Sequence, residues 1–131
     1  MSTQQATSYP AEFRRVRLAR AREPGHPEGS KEIGYDFLAP LDAAGRVDPA
    51  GWRAHRHLCR VVRFRPDEPE DVGHLVRRPG GSWAFHYDIL GDEGDESGRR
   101  FGDYAFTPGA YVSIVEDDET HTYSVVSVAR P

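Results

Sequence analysis

Two histidines and the only cysteine of the chain occur at two-residue intervals in the segment WRAHRHLC, residues 52–59. Imidazole nitrogen and thiolate sulfur are good ligands for zinc. On a β-strand, His55, His57 and Cys59 would share one face, because successive side chains of a strand point to opposite sides. These residue types at this spacing suggest two functions: metal binding, or nucleophilic catalysis by the thiol.

The residues before this segment favour a helix, which would separate the three side chains. The dipeptide Asp-Pro at 48–49 is typical of a helix start, because aspartate accepts hydrogen bonds from free backbone N–H groups and proline fits the first helical position. Two residues along a helix correspond to a rotation of about 200°, so His57 would point away from His55. We therefore predict a short helix over residues 49–58.

On that helix, Trp52, His55 and Cys59 would form the apolar stripe of a buried face. This pattern indicates a packed helix with an inert thiol. One alternative is a mixed metal site in which His55 and Cys59 join a distant His86 or His121. A second alternative is a thiol-dependent activity centred on His55 and Cys59, which would require a stabilised thiolate.

The rest of the sequence shows no catalytic signature. The serines lack the G-x-S-x-G pattern of a nucleophile elbow. Phosphate-binding loops of the types G-x-x-x-x-G-K-[ST] and G-x-G-x-x-G are absent. The acidic segments GDEGDESG and EDDET lack the spacing of an EF-hand calcium loop. We therefore predict no catalytic residues and no cofactor.

Arginine clusters support a nucleic-acid alternative. All but one of the 17 basic residues are arginines, and the excess is spread across all segments, which is typical of a GC-rich genome; groups of arginines occur at residues 14–22 and 60–65. Small β-barrels bind single strands through a basic face that also carries aromatic rings. A sequence pI of about 5.8 and a net charge of −4 count against a dedicated nucleic-acid binder. The candidate ligand-binding residues are Arg15, Arg17, Arg63, Arg65, Arg77 and Arg78.

Alternating apolar residues predict a mainly β fold. The runs DVGHLVRR and SWAFHYDIL flank the turn PGG and indicate a β-hairpin. The runs AYVSIVE and HTYSVVSVA indicate a second hairpin. With the earlier alternating segments, we predict a small antiparallel β-barrel or strongly bent sheet of six to seven strands with one short helix.

A chain of 131 residues is long enough for one domain. We expect a disordered tail over residues 1–11 and a single β-rich domain over residues 12–131. The polar segments 23–30 and 91–100 read as loops. The sequence lacks an apolar run of membrane-spanning length, its first residues do not resemble a signal peptide, and one cysteine forms no internal disulfide. We therefore expect a cytoplasmic protein without membrane contact.

Charge is divided unevenly along the chain. Residues 1–65 carry a net positive charge, and residues 66–131 carry a larger net negative charge. Such polarity can orient a partner during association. The composition thus favours a non-enzymatic binding or interaction module, whose partner is another protein or a second copy of the chain.

The segments YDFLAPLDAAGRVD, RPGGSWAFHYD, FTPGAYVSI and HTYSVVSV resemble a family of small uncharacterised bacterial proteins rich in β-structure. The resemblance covers roughly residues 32–129. Its motifs are signatures of turns and strands, so it implies a bacterial, cytosolic, β-rich protein and attaches no activity, cofactor or functional residue.

Overall fold

The computed structural model describes residues 8–24, 27–88, 96–99 and 104–131. These residues form eight β-strands, one α-helix and one 3-10 turn. The strands are β1 (Phe13–Arg20), β2 (Ser30–Pro40), β3 (Arg60–Phe64), β4 (Asp71–Arg77), β5 (Trp83–Tyr87), β6 (Glu96–Arg99), β7 (Tyr111–Glu116) and β8 (Glu119–Ala129). The helix α1 spans Pro49–His55, and the 3-10 turn Arg56–Leu58 follows it directly.

The sheet is an antiparallel barrel in which neighbours in sequence are neighbours in space. Each strand pairs with the next one along the chain, and β8 pairs with β1, so the barrel is closed. Both predicted hairpins are present as β4–β5 and β7–β8. The prediction of a mainly β fold with an antiparallel barrel and one short helix is confirmed.

The strand β6 lies within the segment 91–100, which the sequence predicted to be a polar loop. For residues 96–99 that prediction was wrong, because Ser97 and Gly98 pair with both β5 and β7. The sequence ESGR has no alternation of apolar residues, so the segment shows no sign of a buried face. Backbone hydrogen bonds to two neighbouring strands hold it in the sheet. The rest of that loop prediction lies outside the described residues.

The barrel interior is filled by aromatic side chains. Along β1–β5, β7 and β8, the buried side chains occur mainly at alternate positions, so the alternating pattern of the sequence becomes the core. Tyr35 packs on Phe85 with ring centroids 5.0 Å apart, and Phe37 meets Phe106 at 5.4 Å. All four rings are buried. Phe106 packs into this core from a loop.

The helix α1 begins where the sequence predicted. The Asp48 carboxylate accepts a hydrogen bond from the backbone N–H of Ala50 at 3.2 Å, and Pro49 occupies the first turn. The buried indole of Trp52 donates a hydrogen bond to the backbone oxygen of Leu75 at 2.8 Å. This bond ties the helix to β4 and leaves α1 lying against one end of the barrel.

The two ends of the barrel differ in charge. We call the end that carries α1 the helix end, and the end that carries the β7–β8 turn at 117–118 and the loop 65–70 the hairpin end. The described charged residues of the helix end are Arg14, Arg46, Arg53, Arg56, Arg60, Arg77, Arg78 and Arg130, with Glu12, Asp42 and Asp48. Those of the hairpin end include Glu23, Glu28, Asp67, Glu68, Glu70, Asp71, Asp117, Asp118 and Glu119, with Arg22 and Arg65. The polarity between halves of the sequence thus becomes a polarity between ends of the molecule.

The N-terminal tail that we expected falls partly outside the described residues, which begin at residue 8. Tyr9 packs on Phe13 with ring centroids 5.9 Å apart, and the Phe13 N–H donates to the backbone oxygen of Pro10 at 3.0 Å. The final residues of the segment 1–11 are therefore in contact with the barrel. Within the described part of the chain, no helix has the length and apolar character needed to cross a membrane.

Candidate functional site

A cleft of about 370 Å³ lies between the 3-10 turn and the outer surface of the β4–β5 hairpin. We call it the His–Arg cleft, because most of the groups around it are histidines and arginines. Its lining residues are Trp52, Arg56, His57, His74, Leu75, Val76, Arg77 and His86. The cleft thus combines an apolar floor with a rim of cationic and protonatable side chains.

The secondary structure of the hairpin brings two of the histidines together. His74 on β4 and His86 on β5 are direct cross-strand partners. Residues opposite each other in an antiparallel pair share one face of the sheet, so both imidazoles lie on the cleft side. The sequence contained this information, because both histidines are six residues from Gly80 at the centre of the predicted turn.

The other wall is supplied by the 3-10 turn after α1. Arg56 and His57 are exposed residues of this turn. The turn follows a helix that is fixed by its cap and by the hydrogen bond from Trp52. The position of Arg56 and His57 therefore depends on the packing of α1 against the barrel, a tertiary contact that no local pattern reveals.

Two tryptophans lie beneath the cationic rim. The indoles of Trp52 and Trp83 meet edge to face with ring centroids 5.4 Å apart. The Arg56 guanidinium lies 6.0 Å from the Trp52 ring centroid, and the Arg77 guanidinium lies 5.3 Å from that of Trp83. Cations in such positions are attracted by the negative face of the ring, so the rings help to hold both guanidiniums at the cleft.

Few acidic side chains lie near the cleft among the described residues. Among the described residues that line it, none is acidic. Asp88 is half exposed and lies 3.6 Å from the His74 ring and 3.9 Å from the Arg60 guanidinium. Arg60 in turn lies 3.4 Å from His74. The described cleft therefore has an excess of cationic groups, which suits an anionic ligand.

The residues of the predicted metal alternative are not brought together. Cys59 lies beside His55, where its Sγ donates to the His55 backbone oxygen at 3.7 Å. His86 instead lines the cleft with His74. Among the described residues, no three histidine, cysteine or acidic side chains form a group that could hold a metal ion. Among the residues that the structure describes, His55, Cys59 and His86 therefore do not form a metal site.

The thiol alternative also meets an obstacle. Cys59 is fully buried, and burial raises the pKa of its thiol to about 12. A thiol with that pKa stays protonated near neutral pH and is a poor nucleophile, because the thiolate is the reactive form. Of the stripe predicted from Trp52, His55 and Cys59, Trp52 and Cys59 belong to the buried core, whereas His55 is partly exposed and α1 ends at this residue.

The arginines predicted on β1 are exposed or partly exposed on the barrel surface. Arg15 is exposed on the outer surface of β1. Arg17 forms an ion pair with Asp36 at 2.8 Å, and its guanidinium lies 4.3 Å from the Phe64 ring centroid. The charge of Arg17 is therefore largely neutralised within the barrel wall.

The remaining predicted arginines divide between the two ends. Arg63 is buried at the hairpin end, and Arg65 lies 3.9 Å from Glu68 at the same end. Arg77 and Arg78 lie at the helix end, where Arg77 lines the His–Arg cleft. The six arginines of the nucleic-acid alternative thus do not form one surface, and Arg77 is the member that the described cleft includes.

A second polar group, buried at the hairpin end, was not predicted. The Tyr35 hydroxyl donates to the Glu116 carboxylate at 2.5 Å, and the Tyr123 hydroxyl donates to the same carboxylate oxygen. Arg20 donates to the Tyr123 hydroxyl at 3.1 Å and approaches Glu116 at 3.4 Å. Burial, reinforced by the neighbouring Glu116 charge, raises the pKa of Tyr123 well above its usual value. These hydrogen bonds join the four side chains in an internal polar network.

No family model, curated protein or solved structure matches this chain.

Proposed function

We propose that the protein is a non-enzymatic binding protein and that the His–Arg cleft holds an anionic ligand with an apolar part. The observation that carries this proposal is the arrangement of Arg56, His57, His74, Arg77 and His86 around an apolar floor. Ligand sites in proteins commonly combine an apolar surface with a few convergent polar groups. The acidic group of the ligand would meet the rim, and its apolar part would meet the floor.

The size of the cleft supports a small ligand. A volume of about 370 Å³ lies within the range of roughly 300–1,000 Å³ that small-molecule pockets occupy. Guanidinium groups bind phosphate and carboxylate through paired N–H donors. Arg56 and Arg77 would therefore provide the principal anchors, and the histidines would add positive charge when they are protonated.

A binding role is favoured over catalysis by what surrounds these groups. The described thiol is buried and protonated, and the described lining of the cleft offers no serine or carboxylate as a nucleophile. The low cysteine content, with one cysteine and therefore no internal disulfide, supports the cytoplasmic location that we propose. The bacterial origin that we propose rests on the resemblance given above.

The two tryptophans of the chain provide a direct test. Trp52 lines the cleft and Trp83 contacts Trp52, so intrinsic fluorescence reports on this site. Titration with adenosine monophosphate is expected to change the fluorescence in a saturable manner. Adenosine, which differs only in lacking the phosphate, is expected to have no effect at the same concentrations. Equal responses to both compounds would contradict the proposal.

Variants locate the anion. We expect the double variant Arg56→Gln and Arg77→Gln to bind adenosine monophosphate at least about 30-fold more weakly, because each charged hydrogen bond contributes about 1 kcal/mol or more and two are lost. Calorimetry is the suitable readout for these variants, since both side chains lie over indole rings. The matched control is Arg15→Gln, which removes an exposed arginine of β1 and should leave the affinity unchanged.

A further inference from the structure

We infer that the ligand of the His–Arg cleft is a segment of single-stranded nucleic acid, an inference that rests on the proposed function and names its ligand class. The shared chemistry of DNA and RNA single strands is an anionic backbone that carries flat, largely apolar bases. The contacts around the cleft match each of these parts.

Cationic side chains continue beyond the cleft. Arg53 is exposed on α1, and Arg56 follows it three residues later in the 3-10 turn. Arg60 on β3 is exposed and contacts the cleft residue His74 at 3.4 Å. A small anion would engage only the rim of the cleft. A row of cations that extends past it suits a ligand with repeated negative charges.

The floor of the cleft favours a nucleotide over an acidic peptide. Trp52 and Val76 contribute apolar surface to the cleft, and the Arg56 guanidinium lies 6.0 Å from the Trp52 ring centroid. An unpaired base could contact this surface while its flanking phosphates meet the arginines. A peptide of aspartate and glutamate alone offers carboxylates to the rim, but its side chains supply no flat apolar group for the floor. A base within a duplex is stacked and paired, so it could not enter the cleft.

The polarity of the molecule reconciles this inference with a net charge of −4. The acidic residues of the hairpin end repel a phosphate backbone, whereas the arginines of the helix end attract it. Such a charge distribution orients an approaching polyanion toward the cleft. The acidic pI, which counted against nucleic-acid binding, reflects the summed charge of both ends and not the charge around the cleft.

Fluorescence anisotropy with 5′-labelled dT20 and rU20 tests the inference. Both oligonucleotides are expected to bind, and a duplex of the same length is expected to bind more weakly. If three or four phosphates are engaged, affinity should fall about 20- to 50-fold between 50 and 200 mM salt. Similar affinity for dT20 and rU20 indicates contacts with the shared backbone, whereas preference for one identifies which nucleic acid is the ligand.

Variants separate this inference from the proposed function. The double variant Arg53→Gln and Arg60→Gln lies outside the cleft lining, so it should keep its affinity for adenosine monophosphate. Its affinity for dT20 should fall at least about fivefold, while Arg15→Gln should retain both affinities. Thermal unfolding of each variant checks that the barrel is intact, and both outer arginines are exposed, which favours normal folding.

Several results would overturn the inference. If adenosine monophosphate binds but the oligonucleotides do not, the proposed function survives and the inference fails. If neither binds, both fail. If poly-L-glutamate of matched length binds as tightly as dT20, the ligand is an acidic peptide. If the duplex binds as tightly as the single strand, or the outer variant binds dT20 normally, the contacts assigned here are wrong.

Discussion

Cys59 follows the 3-10 turn at a position with no solvent exposure, and its Sγ donates to the backbone oxygen of His55. The sequence placed this cysteine in a motif that resembles a metal site, but its chemistry is set by its surroundings. Burial raises the pKa of the thiol to about 12. At the scale of a residue, the environment therefore removes the reactivity that the residue type would permit.

We expect Cys59 to resist alkylation in the folded protein. Because the thiol is both protonated and shielded, iodoacetamide at pH 7.5 should modify it only after denaturation. Mass spectrometry of the intact protein, before and after addition of urea, provides the measurement. The denatured sample is the positive control. Rapid modification of the native sample would restore the thiol alternative.

The same pKa shift predicts a loss of stability in alkaline solution. The pKa of the Cys59 thiol is raised from about 9 in the unfolded chain to about 12 in the folded protein. The resulting contribution to the free energy of unfolding is fully present below pH 9. That contribution is lost as the pH rises toward the folded pKa, so the free energy of unfolding should fall by about 1 kcal/mol between pH 8.5 and 10. Urea denaturation at both pH values measures it. In Cys59→Ala the decrease should be smaller, and an equal decrease would assign the effect to other groups.

Glu116 is expected to stabilise the hairpin end. It is buried, accepts hydrogen bonds from Tyr35 and Tyr123, and faces Arg20. Removing its charge should lower the free energy of unfolding by about 2–4 kcal/mol, because a buried cation would lose its partner. Urea denaturation of Glu116→Gln tests this expectation.

The control for Glu116 is Glu119→Gln. Glu119 is largely exposed, and its carboxylate lies 3.3 Å from the His121 ring. Exposed ion pairs contribute about 0–1 kcal/mol. Similar losses in the two variants would show that the buried network does not stabilise the barrel in the manner argued here.

At the scale of the element, local sequence patterns predicted most of the fold. The alternation of apolar residues identified the hairpins β4–β5 and β7–β8, and the Asp-Pro pair at 48–49 identified the start of α1. The strand β6 was missed because its four polar residues are held by backbone pairing with two neighbours. Patterns of apolar residues report burial, so they do not detect a strand that is required mainly to close a barrel.

The candidate site was predicted less well than the fold. Of the cleft residues, Arg77 was named in advance for a nucleic-acid face, His57 and His86 were named as possible metal ligands, and Trp52 was named as part of a buried stripe. The pairing of His74 with His86 follows from the hairpin register and was available in the sequence. The approach of Arg56 and His57 to that hairpin depends on α1 packing against the barrel, which requires the tertiary structure.

The cap of α1 should matter for the cleft. Asp48→Ala removes the hydrogen bond to the Ala50 N–H and should lower the free energy of unfolding by about 1 kcal/mol. Because α1 positions the cleft wall, the same change should also weaken adenosine monophosphate binding. Asp48→Asn retains a capping side chain and serves as the control in both assays. Equal behaviour of the alanine and asparagine variants would contradict the role assigned to the cap.

At the scale of the whole molecule, a closed barrel carries unlike charges at its two ends. Because neighbouring strands are antiparallel, successive connections between strands lie alternately at the two ends of the barrel. Distant parts of the sequence therefore contribute to each end. Arginines from the α1 region, β3 and β4 gather at the helix end, and acidic turns gather at the hairpin end. Function is thus assigned to a surface that exists only after the barrel has closed.

The central claim is that the His–Arg cleft binds an anion, and a ¹H–¹⁵N correlation spectrum recorded during titration with adenosine monophosphate tests it most directly. We predict that signals shift for residues 52–57 and 74–77, for His86, and for the Trp52 indole N–H. Adenosine should leave these signals in place. If the shifts instead occur at the hairpin end, around 65–70 and 117–118, or if none occurs at saturating concentration, the assignment of function to this cleft is contradicted.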